Sequence, residues 1–545
     1  MPELTAEAIE VRDLVAQVAG NLERRRGVWA PTLERARQLA ATITDPISGP
    51  DARMRIATID HLLALRADQP GEALRLLDEC LAGIEGLRAL HRERGSEEAE
   101  FTRLNDHEWG VRLNRCQVLQ VLGDWDGARD DVQRSLAMAD ASLQPHHHRS
   151  ASLVSAVAIG LEREEFAEAL ALAQDNVRLC REHQPDAMGT ALLTLAQVQA
   201  RLGDNAAATT NADRAEPLII DDPTAMANLH QLRALVAMAQ RDLTGAEHHF
   251  ADYAAHTADH HEVMDRHHRH EAATGRAFLL HSRGDLRGAR KEYLAEVERA
   301  RAGDDPVRLA GALCQLSGVT QDIALSKLSL TRITGRRRTM HEQALAEVDQ
   351  ASEHAEAAGR RHLTAGLDVQ WAKYVAQYQQ FVDPHDLRSV QRGLERCLPA
   401  TVFLHHATFS VSTASGRRAM AHRHAAEAFT IAFALAFVLG AKEVVAELIE
   451  LRCAAGQFRV DVEATRDEES PTSNDIVELG DLDDDAGGAD TLGPADTAGA
   501  PAGVLLAPPP PLLFDPGRIV LTEAFGQASR RYGLPADDRS PVASW

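Results

Sequence analysis

Apolar residues recur at three- and four-residue spacing through most of the first 460 positions, the period that turns one face of a helix inward. From about residue 110 a longer rhythm is laid over it. An apolar helix closes in a Gly-Asp-like turn, an alanine follows, and a second amphipathic helix runs on. The pattern is clearest in LGDWDGARDDVQRSL (Leu122 to Leu136), where Gly123, Asp124 and Trp125 mark the turn. It returns in REEFAEALALAQDNV (Arg163 to Val177), RLGDNAAATTNADRA (Arg201 to Ala215), QRDLTGAEHHFADYA (Gln240 to Ala254) and SRGDLRGARKEYLAE (Ser282 to Glu296), the last turning at Gly284. The alanines in register, Ala128, Ala169, Ala208, Ala246 and Ala289, lie 41, 39, 38 and 43 residues apart.

Two helices joined by so tight a turn must approach closely. Gly or Asp closes the turn, and an Asp there caps the second helix by accepting a hydrogen bond from an otherwise unpaired N–H. The alanine is expected where the helices cross, because a larger side chain would hold them apart. A lone helical hairpin cannot bury its apolar face, so self-similarity at a fixed period predicts an α-α solenoid of stacked hairpins.

Outside this stretch the repeats are degenerate. An earlier hairpin is expected in residues 51–82 with Ala73 at the crossing, followed by about fifteen extra residues around Arg92 to Thr102. Helices also precede it in residues 1–50, and the repeats of this kind occupy 51–306, clear over about 110–300 and looser over 51–109. Residues 307–460 read as looser helical repeats. There Val307 to Gly359 supplies two helices around a basic insertion near 331–340, then come Leu363–Phe381 and Leu387–Leu398, then Ala419–Leu439 and Lys442–Ala455 broken at Gly440. After Val460 periodicity ceases. Residues 461–503 are rich in Asp, Gly, Ala, Pro and Ser and predict a disordered acidic linker that cannot bury enough surface to offset its chain entropy. Residues 504–545 recover apolar positions as a proline-led, strand-like piece and a short helix, Leu521 to Tyr532, which suggests a docking tail.

The turn pattern resembles the tetratricopeptide repeat, whose second half runs Gly-Asp-aromatic-x-x-Ala. Gly123, Asp124, Trp125 and Ala128 match it, and Phe166 with Ala169 and Ala246 with Phe250 match in part. The period here exceeds the family's thirty-four residues, which implies longer helices. The resemblance implies a superhelix with an inner face lined by the first helix of each pair, on which related proteins hold extended peptides. Carrying the register across puts Gln117, Gln120, Thr190, Gln197, Arg201, Asn228, Gln231, Glu271 and Thr274 on that face. A second resemblance rests on the tail residues Gly517, Arg518, Arg531, Tyr532, Gly533 and Trp545: the ensemble is similar to actinobacterial repeat proteins found with CHAT-type, caspase-like peptidases. It implies a partner or sensor role, since the peptidase domain itself is absent.

Composition narrows the function further. A formal charge of −23 disfavours nucleic acid as a partner, which would call for a basic stripe, although residues 461–500 alone carry thirteen acidic residues against Arg466. The six cysteines, Cys80, Cys116, Cys180, Cys314, Cys397 and Cys453, are widely spaced on helical stretches and read as packing residues in a reducing cytoplasm. The longest apolar run, Ala428 to Ala441, is too short to cross a membrane. Triple arginines at Arg24–Arg26 and, in the insertion, Arg336–Arg338 read as solvated surface; a grip on the chain's own 461–500 segment is the alternative.

Phosphate-cradling and nucleophile-elbow motifs are missing from the sequence. No catalytic residue and no cofactor is therefore expected, and the reading is a protein or peptide partner held without bond-making. The rival is a metal sensor or metalloenzyme built on HTADHHEVMDRHHRH, where His256 with His260 and His267 with His270 could share a helix face.

Overall fold

A computed structural model of the chain describes residues 5–23, 29–67, 69–257, 263–303, 305–326, 334–411, 414–453, 457–460, 504–507, 512–513, 521–535 and 542–543. They are almost entirely helical, and the chain divides into two units, 1–322 with 357–360 and 323–356 with 361–545.

In the first unit the helices are α1 (Ala6–Glu23), α2 (Ala30–Thr42), α3 (Ser48–Arg66), α4 (Pro70–Arg94), α5 (Glu98–Leu122), α6 (Trp125–Ala139), α7 (Pro145–Glu162), α8 (Phe166–His183), α9 (Met188–Leu202), α10 (Asn205–Ile219), α11 (Pro223–Ala239), α12 (Leu243–Thr257), α13 (Val263–Ser282) and α14 (Leu286–Ala302). From α3 to α14 each packs on the helix before it, and α7 also touches α5, α9 touches α7 and α11 touches α9. This is the stacking of an all-α solenoid, with the first helices of successive hairpins meeting one another.

The five repeated turns share one backbone solution. The residue five positions before each register alanine is left-handed: Gly123 at φ +77°, Glu164 at +62°, Gly203 at +93°, Arg241 at +61° and Gly284 at +81°. The next N–H then reaches back to close the preceding helix: Asp124 to the Leu119 carbonyl (2.9 Å), Glu165 to Gly160 (2.8 Å), Asp204 to Gln199 (2.8 Å), Asp242 to Ala237 (2.9 Å) and Asp285 to Leu280 (2.9 Å). Where that residue is Asp, its carboxylate also caps the following helix, accepting from Gly127, Ala207, Gly245 and Gly288 at 2.9 to 3.2 Å. Glu165, one methylene longer, makes no such cap. All five alanines, and Ala73, are fully buried. At Gly160 on α7 a Cβ would stand 3.2 Å from the Ala169 Cβ on α8, so the helices do cross at the alanine.

The extra residues expected around Arg92 to Thr102 mostly lengthen helices instead of forming an insertion. α4 and α5 are each 25 residues long, and Gly95 to Glu97 alone separate them, with Gly95 left-handed at φ +63°.

α15 (Pro306–Leu325) follows α14. The second unit carries α16 (Thr334–Ala357), α17 (Arg361–Phe381), α18 (Leu387–Ala407), α19 (Ala414–Met420), α20 (Ala426–Val438), α21 (Lys442–Cys453) and α22 (Thr522–Tyr532). The Arg336–Arg338 run lies in the first turns of α16 and not in a loop. There Arg337 donates to the Ser326 carbonyl at 3.0 Å, and Arg338 pairs with Glu342 one turn on.

α18 was expected to stop at Leu398, before Pro399, but it runs on to Ala407. The lost hydrogen bond at an internal proline costs about 3 kcal/mol. Packing outweighs it: Val390, Leu394, Cys397, Ala400, Val402 and Leu404 are all buried, against α17, α20 and α22. The helix expected over Ala419–Leu439 is likewise two, α19 and α20, joined by a wider π turn at Ala421–Ala425.

Strand pairing is confined to β1 (Gln457–Val460), antiparallel to β2 (Val504–Ala507), and β3 (Leu512–Leu513), parallel to β4 (Val542–Ala543), among the described residues. The acidic segment 461–503 lies outside those residues, between paired Val460 and Val504.

Candidate functional site

Two places bear on function. The first is where α22 meets α17 and α18. Helix α22 begins at Thr522 with the Leu521 N–H donating to Glu447 Oε2 of α21 at 3.0 Å. It buries Ala524, Ala528 and Tyr532 on one face, an i, i+4, i+8 stripe. It ends at left-handed Gly533 (φ +68°), where a Cβ would also come within 2.9 Å of the Arg361 guanidinium.

At its last turn the helix delivers Arg531 and Tyr532 to Asp368 of α17, whose side chain is withdrawn from solvent. Arg531 donates Nε to Asp368 Oδ2 (2.8 Å) and Nη2 to Oδ1 (3.3 Å), with a further donation to Ser352 Oγ (3.1 Å). The Tyr532 hydroxyl donates to Asp368 Oδ2 at 2.5 Å. Arg396 of α18 completes the cluster, bridging Asp368 Oδ1 and Asp349 Oδ1 at 2.5 Å each, and its guanidinium lies 5.2 Å from the Trp371 ring centre. Two guanidiniums thus face the buried Asp368 carboxylate and the more exposed Asp349 and Glu356, the last 3.5 Å from Arg531, and this pairing offsets the cost of taking Asp368 from water. Burial, with the Asp368 carboxylate beside it, pushes the Tyr532 phenol well above its usual range, so it stays a donor. Apolar contacts frame the cluster: Tyr532 lies 5.1 Å from Phe403, and Phe525 meets His406 edge-on at 5.5 Å.

Of the tail residues singled out from the sequence, Arg531, Tyr532 and Gly533 belong to this cluster. Gly517, Arg518 and Trp545 lie outside the described residues. The residues that receive them, Asp368, Ser352 and Arg396, were not foreseen. The only signal for Asp368 is an acidic residue in an otherwise apolar frame of Leu367, Val369 and Trp371.

The second place is the run of first helices. Gln117 and Gln120 sit on α5, Thr190, Gln197 and Arg201 on α9, Asn228 and Gln231 on α11, and Glu271 and Thr274 on α13. Gln117, Thr190 and Arg201 are exposed, and Gln197, Asn228 and Gln231 half-buried. Gln120 turns back to donate to Cys116 Sγ at 3.1 Å, and Arg201 approaches Glu162 of α7 at 3.8 Å. The Glu271 side chain lies outside the described residues.

His256, in the last turn of α12, stacks on His230 of α11 with ring centres 5.2 Å apart. His260 and the side chains of His267 and His270 lie outside the described residues. Cys80, Cys116, Cys180 and Cys397 are buried and not disulfide-bonded. Burial pushes the thiols of Cys80 and Cys116 up to about 11 and that of Cys397 to about 12, the behaviour of packing residues and not of nucleophiles. Among the described residues no helix is long and apolar enough to cross a membrane.

No protein-family model matches this chain, and no curated protein matches it.

Proposed function

We propose that the chain is a non-catalytic binding protein, a scaffold or sensor of the tetratricopeptide kind that holds a peptide or protein partner along the first helices of its repeats. One observation carries this reading. The first helices α5, α7, α9 and α11 touch one another from hairpin to hairpin. A two-layer array that keeps one layer in mutual contact curves toward that layer, and an extended peptide lying there can meet side chains from several repeats at once. Gln117, Thr190, Gln197, Asn228 and Gln231 offer amides and a hydroxyl suited to a peptide backbone. The seating of α22 against α17 and α18 supports the same reading: an element 163 residues distant in sequence is received on a buried carboxylate through an arginine and a tyrosine, residue types enriched at binding hot spots. A caspase-like peptidase of the CHAT type is the partner class that the tail motif suggests.

The test is a photo-crosslinking side chain placed at Gln197 or Gln231 in the full chain, expressed in its own cells, with Glu298 on the second helix α14 as control. One discrete adduct from the first-helix positions and none from Glu298 is expected. Equal labelling at all three, or none at the first two, would refute the reading.

A further inference from the structure

Helices α11 and α12 form one hairpin, and histidines gather across it. His230 of α11 is 9% exposed, and its Nδ1 is buried without a hydrogen-bond partner. On α12 the Nδ1 of His249 is likewise buried and unpartnered. Asp252, one turn further on, brings Oδ2 to 3.6 Å from His230 Nδ1, too long for a hydrogen bond, and to 3.3 Å from His248 Nε2. One ligand atom from each of His230, His249 and Asp252 falls within 4.8 Å of the others. Buried polar atoms are seldom left unsatisfied, and two imidazole nitrogens converging on one carboxylate ask for an atom between them.

We propose that His230, His249 and Asp252 bind a divalent metal ion of the zinc class. Two imidazoles and a carboxylate are a donor set that zinc accepts in tetrahedral geometry, with the fourth position left to water or to another protein ligand. Metal bonds of about 2.0–2.2 Å place tetrahedral donors roughly 3.4 Å apart. The three atoms must therefore draw in by about an ångström, which side-chain rotation supplies. His256 stacks its ring on that of His230 and helps to fix it in place.

Arg233, one turn from His230, is a cation that would repel the ion, but it is occupied by Asp213 at 2.7 Å and Glu216 at 2.8 Å. Burial foremost holds the His230 and His249 imidazoles below their ordinary range. The ligands come from facing helices of one hairpin, so the ion would clip α11 to α12. This site is built from residues that precede the histidine run at 260–270, and it stands whatever the first helices bind.

The experiment uses the full chain without a polyhistidine tag, stripped of metal and titrated with Co2+ read by visible d–d absorption, then with Zn2+ in competition with a chromophoric chelator. One equivalent of Co2+ in a four- or five-coordinate spectrum is expected. H249A and D252A, both half-buried, should each weaken binding at least tenfold and change the spectrum, with helical circular dichroism and melting confirming the fold; H267A/H270A should leave it intact. D252N, which keeps the side chain's shape, serves if either alanine variant fails to fold. Failure to take up one equivalent, binding unmoved by the 249 and 252 substitutions, or binding lost only in H267A/H270A would overturn the assignment.

Discussion

The five repeated turns allow one quantity to be worked from backbone geometry alone. Arg241 and Gly203 occupy the same left-handed position of the same turn, at φ +61° and +93°. A side chain there costs about 1–2 kcal/mol, because its Cβ crowds the carbonyl, whereas glycine adds only about 0.5–1 kcal/mol of chain entropy. Arg241 is exposed, so R241G should stabilise the α11–α12 hairpin by about 0.5–1 kcal/mol, and G203A should destabilise α9–α10 by about the same amount. An array of repeats does not unfold as one unit, so a global melt would blur so local a change. Native-state hydrogen exchange read by mass spectrometry resolves it. Amides of the last turn of α11 and the first turn of α12 should exchange roughly two- to fivefold more slowly in R241G, those around Gly203 faster by a similar factor in G203A, and the α5–α6 amides not at all. If R241G exchanges as fast as the parent while G203A is silent, the shared turn does not hold these hairpins as described.

Three further outcomes follow from packing and burial. A Cβ at Gly275 of α13 would stand 2.5 Å from Cε1 and Cζ of the buried Phe250 ring of α12, so G275A should cost about 1–3 kcal/mol, measured by urea unfolding, and a neutral result would mean that these hairpins stack more loosely. Removing the Tyr532 hydroxyl withdraws a donor from a buried carboxylate, so Y532F should cost about 1.5–3 kcal/mol at α22, read as faster exchange of its amides; unchanged protection would dismiss Asp368 as the anchor. Burial lowers the pKa of His61, His341 and His405 to about 4, whereas unfolded imidazoles titrate near 6.5. Their stabilising contribution is full above pH 6.5 and is lost as pH falls toward 4, by roughly 3 kcal/mol each at the limit. H405F should flatten the fall of melting temperature between those values, and an identical slope would exclude His405.

What the sequence made legible was chemistry that acts on neighbours in the chain. Gly-Asp at 123–124, Asp204 and Asp285 announced their turns because a left-handed glycine and a capping carboxylate serve backbone groups a few residues away. Glu164 and Arg241 take the same conformation without glycine, and only the periodic alanines betray them. Pro399 misled in the opposite sense: its local cost is real, but burial on several neighbouring helices overrides it. Sites assembled across helices were harder to see. The histidine run from His256 to His270 stood out in the sequence, while His249 lay just before it and His230, 19 residues before His249, stood alone on another helix. Asp368 looked like any helical acid until α22 supplied its partners.

The distance along the chain between Asp368 and Arg531 has a consequence for synthesis. In the first unit each helix packs chiefly on its neighbours in sequence, so hairpins can close as they leave the ribosome. Asp368 must wait 163 residues for Arg531, which at about 5–20 residues per second is roughly ten to thirty seconds. During that interval α17 and α18 carry a carboxylate and an apolar strip meant for a helix not yet translated. The second unit can therefore complete its fold only after α22 has been made, a delay written into the order of its sequence.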